Sequence, residues 1–189
     1  MDGFPFTATK ARVSTRGNPP DAFLHELLTW GRMAPAEIFA RNAVPDDIYT
    51  RIAPFLGPWD ATRPQMRRAA MLEAMRVLAG FESSWNWNCG SDTTRRAANT
   101  PRNMEAGAWQ VSADSIPFGA DLHDLVMRAV GNLDGTNFQR AMKADHAFAM
   151  EYVARLLRHT VRHNGPVLIG TINQWLSRAA LKEWEALLA

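Results

Sequence analysis

The sequence predicts a mainly α protein: a helical bundle around one long apolar helix, interrupted once by a small β-hairpin or irregular insertion. Three observations carry that expectation. Apolar residues recur every three or four positions through most of the chain from residue 21 onward, the period of a helix with one buried face. The thirty or so residues after Glu82, up to Ser112, abandon that period and are crowded with Gly, Asn, Ser and Trp. A length of 189 residues, 47% hydrophobic and 21% charged, suits one domain with a substantial core better than two.

Residues 1–20 are rich in Pro, Gly, Thr and Arg and read as an extended lead, leaving 21–189 as the single domain. Asp21 reads as the N-cap of a helix carrying Phe23, Leu24, Leu27 and Leu28, closed by Gly31. Pro35 and Pro45 each stand where a short helix would begin. Three prolines and a glycine between Pro54 and Pro64 break the helical pattern. Thr62 and Gln65 have capping-box spacing ahead of the long helix, expected over about 63–81.

Beyond the insertion, helical patterning returns at Asp121 with Leu122, Leu125 and Val126. Asp134-Gly135 marks a turn. A further helix is expected over about 145–163, with Phe148, Tyr152, Leu156 and Thr160 spaced four apart and Asn164-Gly165-Pro166 stopping it. Ser177 reads as the cap of a last helix carrying Leu181, Trp184 and Leu188.

The chemistry concentrates in the insertion and the helix before it. Met71, Met75, Leu78 and Glu82 share one helical face, so an acidic residue ends an apolar stripe. Burial there disfavours the charged form and raises the carboxyl pKa, as a general acid requires. Glu105 follows a loop later, just before Gly107-Ala108-Trp109-Gln110, and Ala106 to Ser112 could form a short strand.

Glu82-Ser83-Ser84-Trp85-Asn86 resembles the Glu-Ser-x-x-Asn segment of lytic transglycosylases and goose-type lysozymes, in which the glutamate closes a helix and is the catalytic acid. Gly107-Ala108-Trp109-Gln110 is similar to the Gly-x-x-Gln segment that follows in that superfamily and lines the glycan cleft. The resemblance covers residues 79–112 and implies a lysozyme-like α+β fold with the site between the helices and a small β element. It implies peptidoglycan glycan strands as substrate, cleaved at the β-1,4 bond between N-acetylmuramic acid and N-acetylglucosamine.

On that resemblance Glu82 is the acid, and Glu105 is the candidate second carboxylate that steers a water or meets the developing positive charge on the sugar. Asp92 is held in reserve. A lytic transglycosylase needs only the one glutamate, acting as acid and then base. Ser83, Asn86, Gln110 and Ser112 are candidate hydrogen-bonding partners of the glycan, and Trp85, Trp87 and Trp109 candidate faces for sugar rings. Core packing is the competing use for each tryptophan. A chitinase- or chitosanase-like activity is the nearest alternative.

A helical binding module holding nucleic acid or protein through Arg67-Arg68 and Arg95-Arg96 is the alternative from another class. It ranks lower because the basic residues are spread along the chain, and no nucleic acid is expected. The formal charge is +2 with a pI near 9.0, which favours an anionic partner. One cysteine, Cys89, excludes an internal disulfide. His159 and His163 stand one helical turn apart, yet no glutamate lies between them in the His-Glu-x-x-His manner. No metal or other cofactor is expected.

No run approaches the roughly 18 apolar residues of a membrane span, and the first residues lack the apolar core of a secretory signal. The expected setting is the periplasm or the cell exterior, reached by another route, phage-encoded or after processing. The expected form is a monomer, with an immunity or inhibitor protein as the conceivable protein partner.

Overall fold

The computed structural model describes residues 6–41, 46–60, 62–90, 99–159 and 165–189. Its helices are α1 (Asp21–Met33), α2 (Ile48–Leu56), α3 (Gln65–Ser83), α4 (Ala120–Val130), α5 (Gly135–Ala144), α6 (His146–His159), the single turn α7 (Gly165–Leu168) and α8 (Arg178–Leu188). Short 3-10 turns cover Ser14–Arg16, Ala36–Ile38, Ala113–Phe118 and Thr171–Trp175. The fold is mainly α.

Helix α3 is the axis of the molecule. Every residue from Ala69 to Gly80 is buried, so this helix is enclosed on all sides rather than along one stripe. Its small residues let neighbours come close: α1, α2 and α8 pack directly on it, and α6 packs on α1, α2, α4 and α5 beyond. Gly31 of α1 shows the same closeness, since a Cβ there would lie 2.7 Å from Leu72 Cδ1. That glycine serves contact rather than termination, and α1 continues to Met33, ending ahead of Pro35.

The enclosed helix carries a charged pair in its middle. Arg76 donates from Nε and Nη2 to the two carboxylate oxygens of Glu73, both bonds at 2.8 Å, with both side chains fully buried. Glu73 also accepts from the Ser177 backbone N–H at 3.0 Å and from Trp184 Nε1 at 3.3 Å, and Arg76 donates to the Ala11 carbonyl at 2.9 Å. The pair therefore ties the start of α8 and the N-terminal segment to α3. Satisfying each polar atom is what makes burying these charges tolerable.

Several expectations are corrected. From residue 6 onward the N-terminal lead is packed on the domain: Val13 is fully buried, and Thr7 and Thr9 donate to Glu183 of α8. Pro20, not Asp21, precedes the first turn of α1. The capping box does not form. Thr62 turns back to Asp60, donating from its hydroxyl at 2.7 Å, and α3 starts after Pro64 without a side-chain cap. Pro54 lies inside α2, which continues to Leu56. Ser177 caps α8 as expected, accepting from the Ala180 backbone N–H, and Asp134, read only as part of a turn, caps α5 by accepting from the Asn137 N–H. Pro45, Thr160, His163 and Asn164 lie outside the described residues.

Ala106 to Ser112 is not a strand. Ala106 and Val111 exchange backbone hydrogen bonds of 3.1 and 3.2 Å, one isolated antiparallel bridge around a tight turn, and no strand occurs among the described residues. Gly107 at φ 77° and Gln110 at φ 47° bend the backbone too sharply for a ladder to propagate. The segment is instead held by its neighbours, with Gly107 against Met142 of α5, where a Cβ would meet a backbone oxygen at 2.7 Å.

Candidate active site at the end of the central helix

Glu82 lies in the last turn of α3. Past it, Ser84 and Trp85 both adopt left-handed backbone, at φ 57° and 59°. Their N–H groups bond back to the carbonyls of Gly80 and Ala79, each at 3.1 Å, a Schellman-type closure. The reversal drives the Trp85 indole under the helix, where Nε1 donates to the Arg76 carbonyl at 2.8 Å. Gly80 makes that possible, since a Cβ at this position would come within 2.7 Å of the ring.

Two other segments converge on the same end. Ser14–Arg16 forms a 3-10 turn entered at φ 50° and left through Gly17 at φ 89°, and its preceding residue, Val13, is buried against Gly80. The Gly107–Gln110 turn is joined to the helix by Ser83, whose hydroxyl donates to the Ala108 carbonyl at 2.7 Å and accepts the Asn86 N–H at 3.0 Å. Ser14, Ser84, Trp85 and Gln110 are the non-glycine residues with positive φ among the described residues. All four fall in these three segments. Such conformations cost on the order of 1–3 kcal/mol each, and they cluster where a protein holds a site in a fixed shape.

The electrostatics fit that placement. Burial pushes the Glu82 carboxyl up to about 7, with the charge of Glu105 pushing in the same direction and Arg16 opposing. Glu105, itself half-buried, is therefore near enough for its charge to be felt at Glu82. Arg16 is the residue that the sequence reading missed. Its only signal was the basic character of residues 1–20, and nothing in spacing tied those residues to Glu82.

The other candidates divide. Trp109 is fully buried and donates from Nε1 to the Met75 carbonyl at 2.9 Å; Trp85 is 4% exposed. Both are core residues whose faces are not available to a sugar, which corrects their reading as glycan platforms. Trp87 is half-buried, with one face stacked on His146 at 3.9 Å and its ring tilted against Phe23 and edge-on to Trp109. Ser83 acts as the stitch just described. Gln110 donates its amide to the Gly107 carbonyl at 2.8 Å, closing its own turn. Asn86 is exposed and accepts from the Asn88 N–H at 2.9 Å. The Ser112 carbonyl accepts from the Ser115 hydroxyl at 2.7 Å.

Asp92, Arg95 and Arg96 lie outside the described residues. His159 pairs with Asp121 at 2.5 Å, and Cys89 is half-buried and free. Among the described residues no group of three or more His, Cys, Asp or Glu is arranged to hold a metal, and no helix is long and apolar enough to cross a membrane.

The two cavities described lie at the other end of α3, some 25 Å away by helix rise. The larger, about 460 Å³, is lined by Phe39, Arg41, Trp59, Arg63, Arg67 and Arg68 among others. The smaller, about 260 Å³, shares Arg41, Trp59 and Arg67 and reaches Asp47 and Tyr49. Of these residues the sequence reading singled out only Arg67 and Arg68. No family model, curated protein or solved structure matches this chain.

Proposed function

We propose that the protein is a muramidase that cleaves the β-1,4 bond between N-acetylmuramic acid and N-acetylglucosamine in peptidoglycan, by hydrolysis or lytic transglycosylation. Glu82 is the general acid. The observation that carries the reading is a carboxyl group at the closed end of a buried helix, raised to about 7 by burial and, in the same direction, by the charge of Glu105. Such a group still holds its proton near neutrality and can give it to the leaving oxygen of a glycoside, while Glu105 faces the positive charge that develops on the sugar. The lysozyme-like resemblance of the two segments joined through Ser83 adds the substrate class. On this reading the exposed Asn86 and the half-buried Gln110 are the candidate hydrogen-bonding partners of the glycan.

Turbidity clearing of purified peptidoglycan by wild type and Glu82→Gln tests the proposal. Loss of about 100-fold or more in rate is expected for a missing general acid; undiminished clearing by the variant removes it. Mass spectrometry of the products separates the two mechanisms, since a 1,6-anhydro end marks transglycosylation and a reducing end hydrolysis. Chitin and chitosan substrates in parallel test the neighbouring specificities.

A further inference from the structure

We propose that the larger cavity, at the N-terminal end of α3, binds a phosphate monoester carried on a ring-bearing small molecule. The phosphate meets Arg41, Arg63, Arg67 and Arg68, and the ring lies along Trp59. This inference is independent of the activity assigned to Glu82. Its volume of about 460 Å³ falls within the roughly 300–1,000 Å³ usual for small-molecule sites.

Charge is the first argument. Arg63 pairs with Glu185, and Asp60 also lines the cavity. Four arginines against those two carboxylates leave an excess of two positive charges, matching a phosphate monoester near neutrality better than a single carboxylate. Arg67 bonds through Nε and Nη2 to the carbonyls of Phe39 and Ala40, and Arg68 through Nη1 to those of Gly31 and Ala34. Carbonyl oxygens orient a guanidinium without neutralising it. Each guanidinium has five N–H donors, so both arginines retain donors beyond the bonds just named.

Cost is the second argument. Burial lowers the pKa of both Arg67 and Arg68; at Arg67 the positive charges of Arg158 and Arg41 add to that effect, while Tyr49 and Asp47, the ion-pair partner of Arg158, oppose it. Like charges are thus held close together in a partly desolvated place, an arrangement that an anion relieves. The arginines are also prebuilt: Arg67 stacks 3.7 Å over the Tyr49 ring and Arg68 4.2 Å over Phe39. A ligand therefore meets fixed forks rather than flexible side chains, which is where arginine discriminates best. Trp59 is half-buried and braced edge-on by Tyr49 at 5.7 Å, which fixes one flat apolar wall.

Calorimetric titration of the full chain tests the site with four probes: adenosine monophosphate, N-acetylglucosamine 1-phosphate, inorganic phosphate and adenosine. One equivalent of at least one ester is expected to bind saturably, more tightly than inorganic phosphate, with affinity falling as salt rises; adenosine is silent. Which ester binds more tightly identifies a nucleotide or a sugar phosphate as the source. Arg41→Gln and Arg63→Gln, on exposed side chains that hold no helix end, should each weaken binding about tenfold with the circular dichroism unchanged. Trp59→Leu should reduce the advantage of the ester over inorganic phosphate. No saturable binding by either ester, an ester no tighter than inorganic phosphate, or wild-type affinity in both arginine variants overturns the inference.

Discussion

The Ser83 hydroxyl donates to the Ala108 carbonyl at 2.7 Å and accepts the Asn86 N–H at 3.0 Å, so one side chain fastens the end of α3 to the turn that follows Glu105. Both carboxyl groups of the candidate site hang from this junction. Glu82 is one residue before the stitch on the helix side, and Glu105 is three residues before it on the turn side. Their mutual influence thus depends on a bond that neither of them makes.

Ser83→Ala removes that bond and leaves a carbonyl and an N–H without their partner. The expected loss is about 1–2 kcal/mol of stability, mainly the cost of stranding the Ala108 carbonyl in a half-buried place, since the exposed Asn86 N–H can turn to water. Activity on peptidoglycan should fall more than the stability loss explains, because the turn can drift. Urea unfolding and turbidity clearing on the same preparation check both; unchanged clearing would detach Ser83 from the site.

The helices were readable because their signal is local: Leu181, Trp184 and Leu188 follow Ser177 at helical spacing, and all three are buried in α8. Glu82 was readable for the same reason, as an acid ending an apolar stripe. Trp85 and Trp109 were not, because an indole has the same sequence signature in a core as in a cleft. Their N–H groups bond to carbonyls of α3, at Arg76 and Met75, and only tertiary contact shows that. Arg16 and the arginine cavity were invisible for a related reason. They arise where residues far apart in the chain meet, and no periodicity records such meetings.

Glu82 makes stability depend on pH in a definite direction. Its carboxyl has a folded value of about 7 against 4.5 for the free group. The folded protein therefore holds this proton more tightly than the unfolded chain. The associated stability is complete below the lower value and is lost as pH rises through the upper one. Glu82→Gln cannot ionise, so relative to wild type it should gain about 2 kcal/mol between pH 5 and pH 8, a figure reduced for the part of the group that faces solvent. Paired urea titrations at the two pH values measure this, and a difference that stays flat with pH contradicts the burial.

The neighbours of Glu82 act in opposite senses, which gives a paired test. Glu105→Gln removes a repulsive charge, so the Glu82 pKa should fall and the alkaline limb of the pH–rate profile should move to lower pH. Arg16→Gln removes an attractive charge and should move the limb the other way. Carbon NMR titration of the Glu82 carboxyl follows both without relying on turnover. Equal profiles in the two variants would mean that neither charge reaches the acid.

Trp109→Phe keeps an aromatic ring in the core but deletes the N–H that reaches the Met75 carbonyl. The expected loss is about 2–3 kcal/mol, combining the stranded carbonyl with the space left by the smaller ring. Binding of short glycans should be unchanged once folding is allowed for, because this ring is fully buried. A specific loss of glycan affinity would return Trp109 to the cleft.

The Glu73–Arg76 pair offers the sharpest contrast between removing one charge and removing two. Glu73 accepts from Arg76 twice, from the Ser177 N–H and from Trp184, and every one of those donors loses its acceptor in Glu73→Ala. A guanidinium is then left fully buried without a counter-ion, which costs about 3–5 kcal/mol. Replacing both partners, Glu73→Leu with Arg76→Met, removes the stranded charge along with its partner and should recover much of that loss. It should not recover all of it, because the Ser177 N–H, the Trp184 N–H and the Ala11 carbonyl remain unmatched. Thermal unfolding of the single and double variants measures the difference. A double variant no more stable than Glu73→Ala would show that the pair acts through what it ties down, the start of α8 and the N-terminal segment that carries Arg16, rather than through the balance of its own charges.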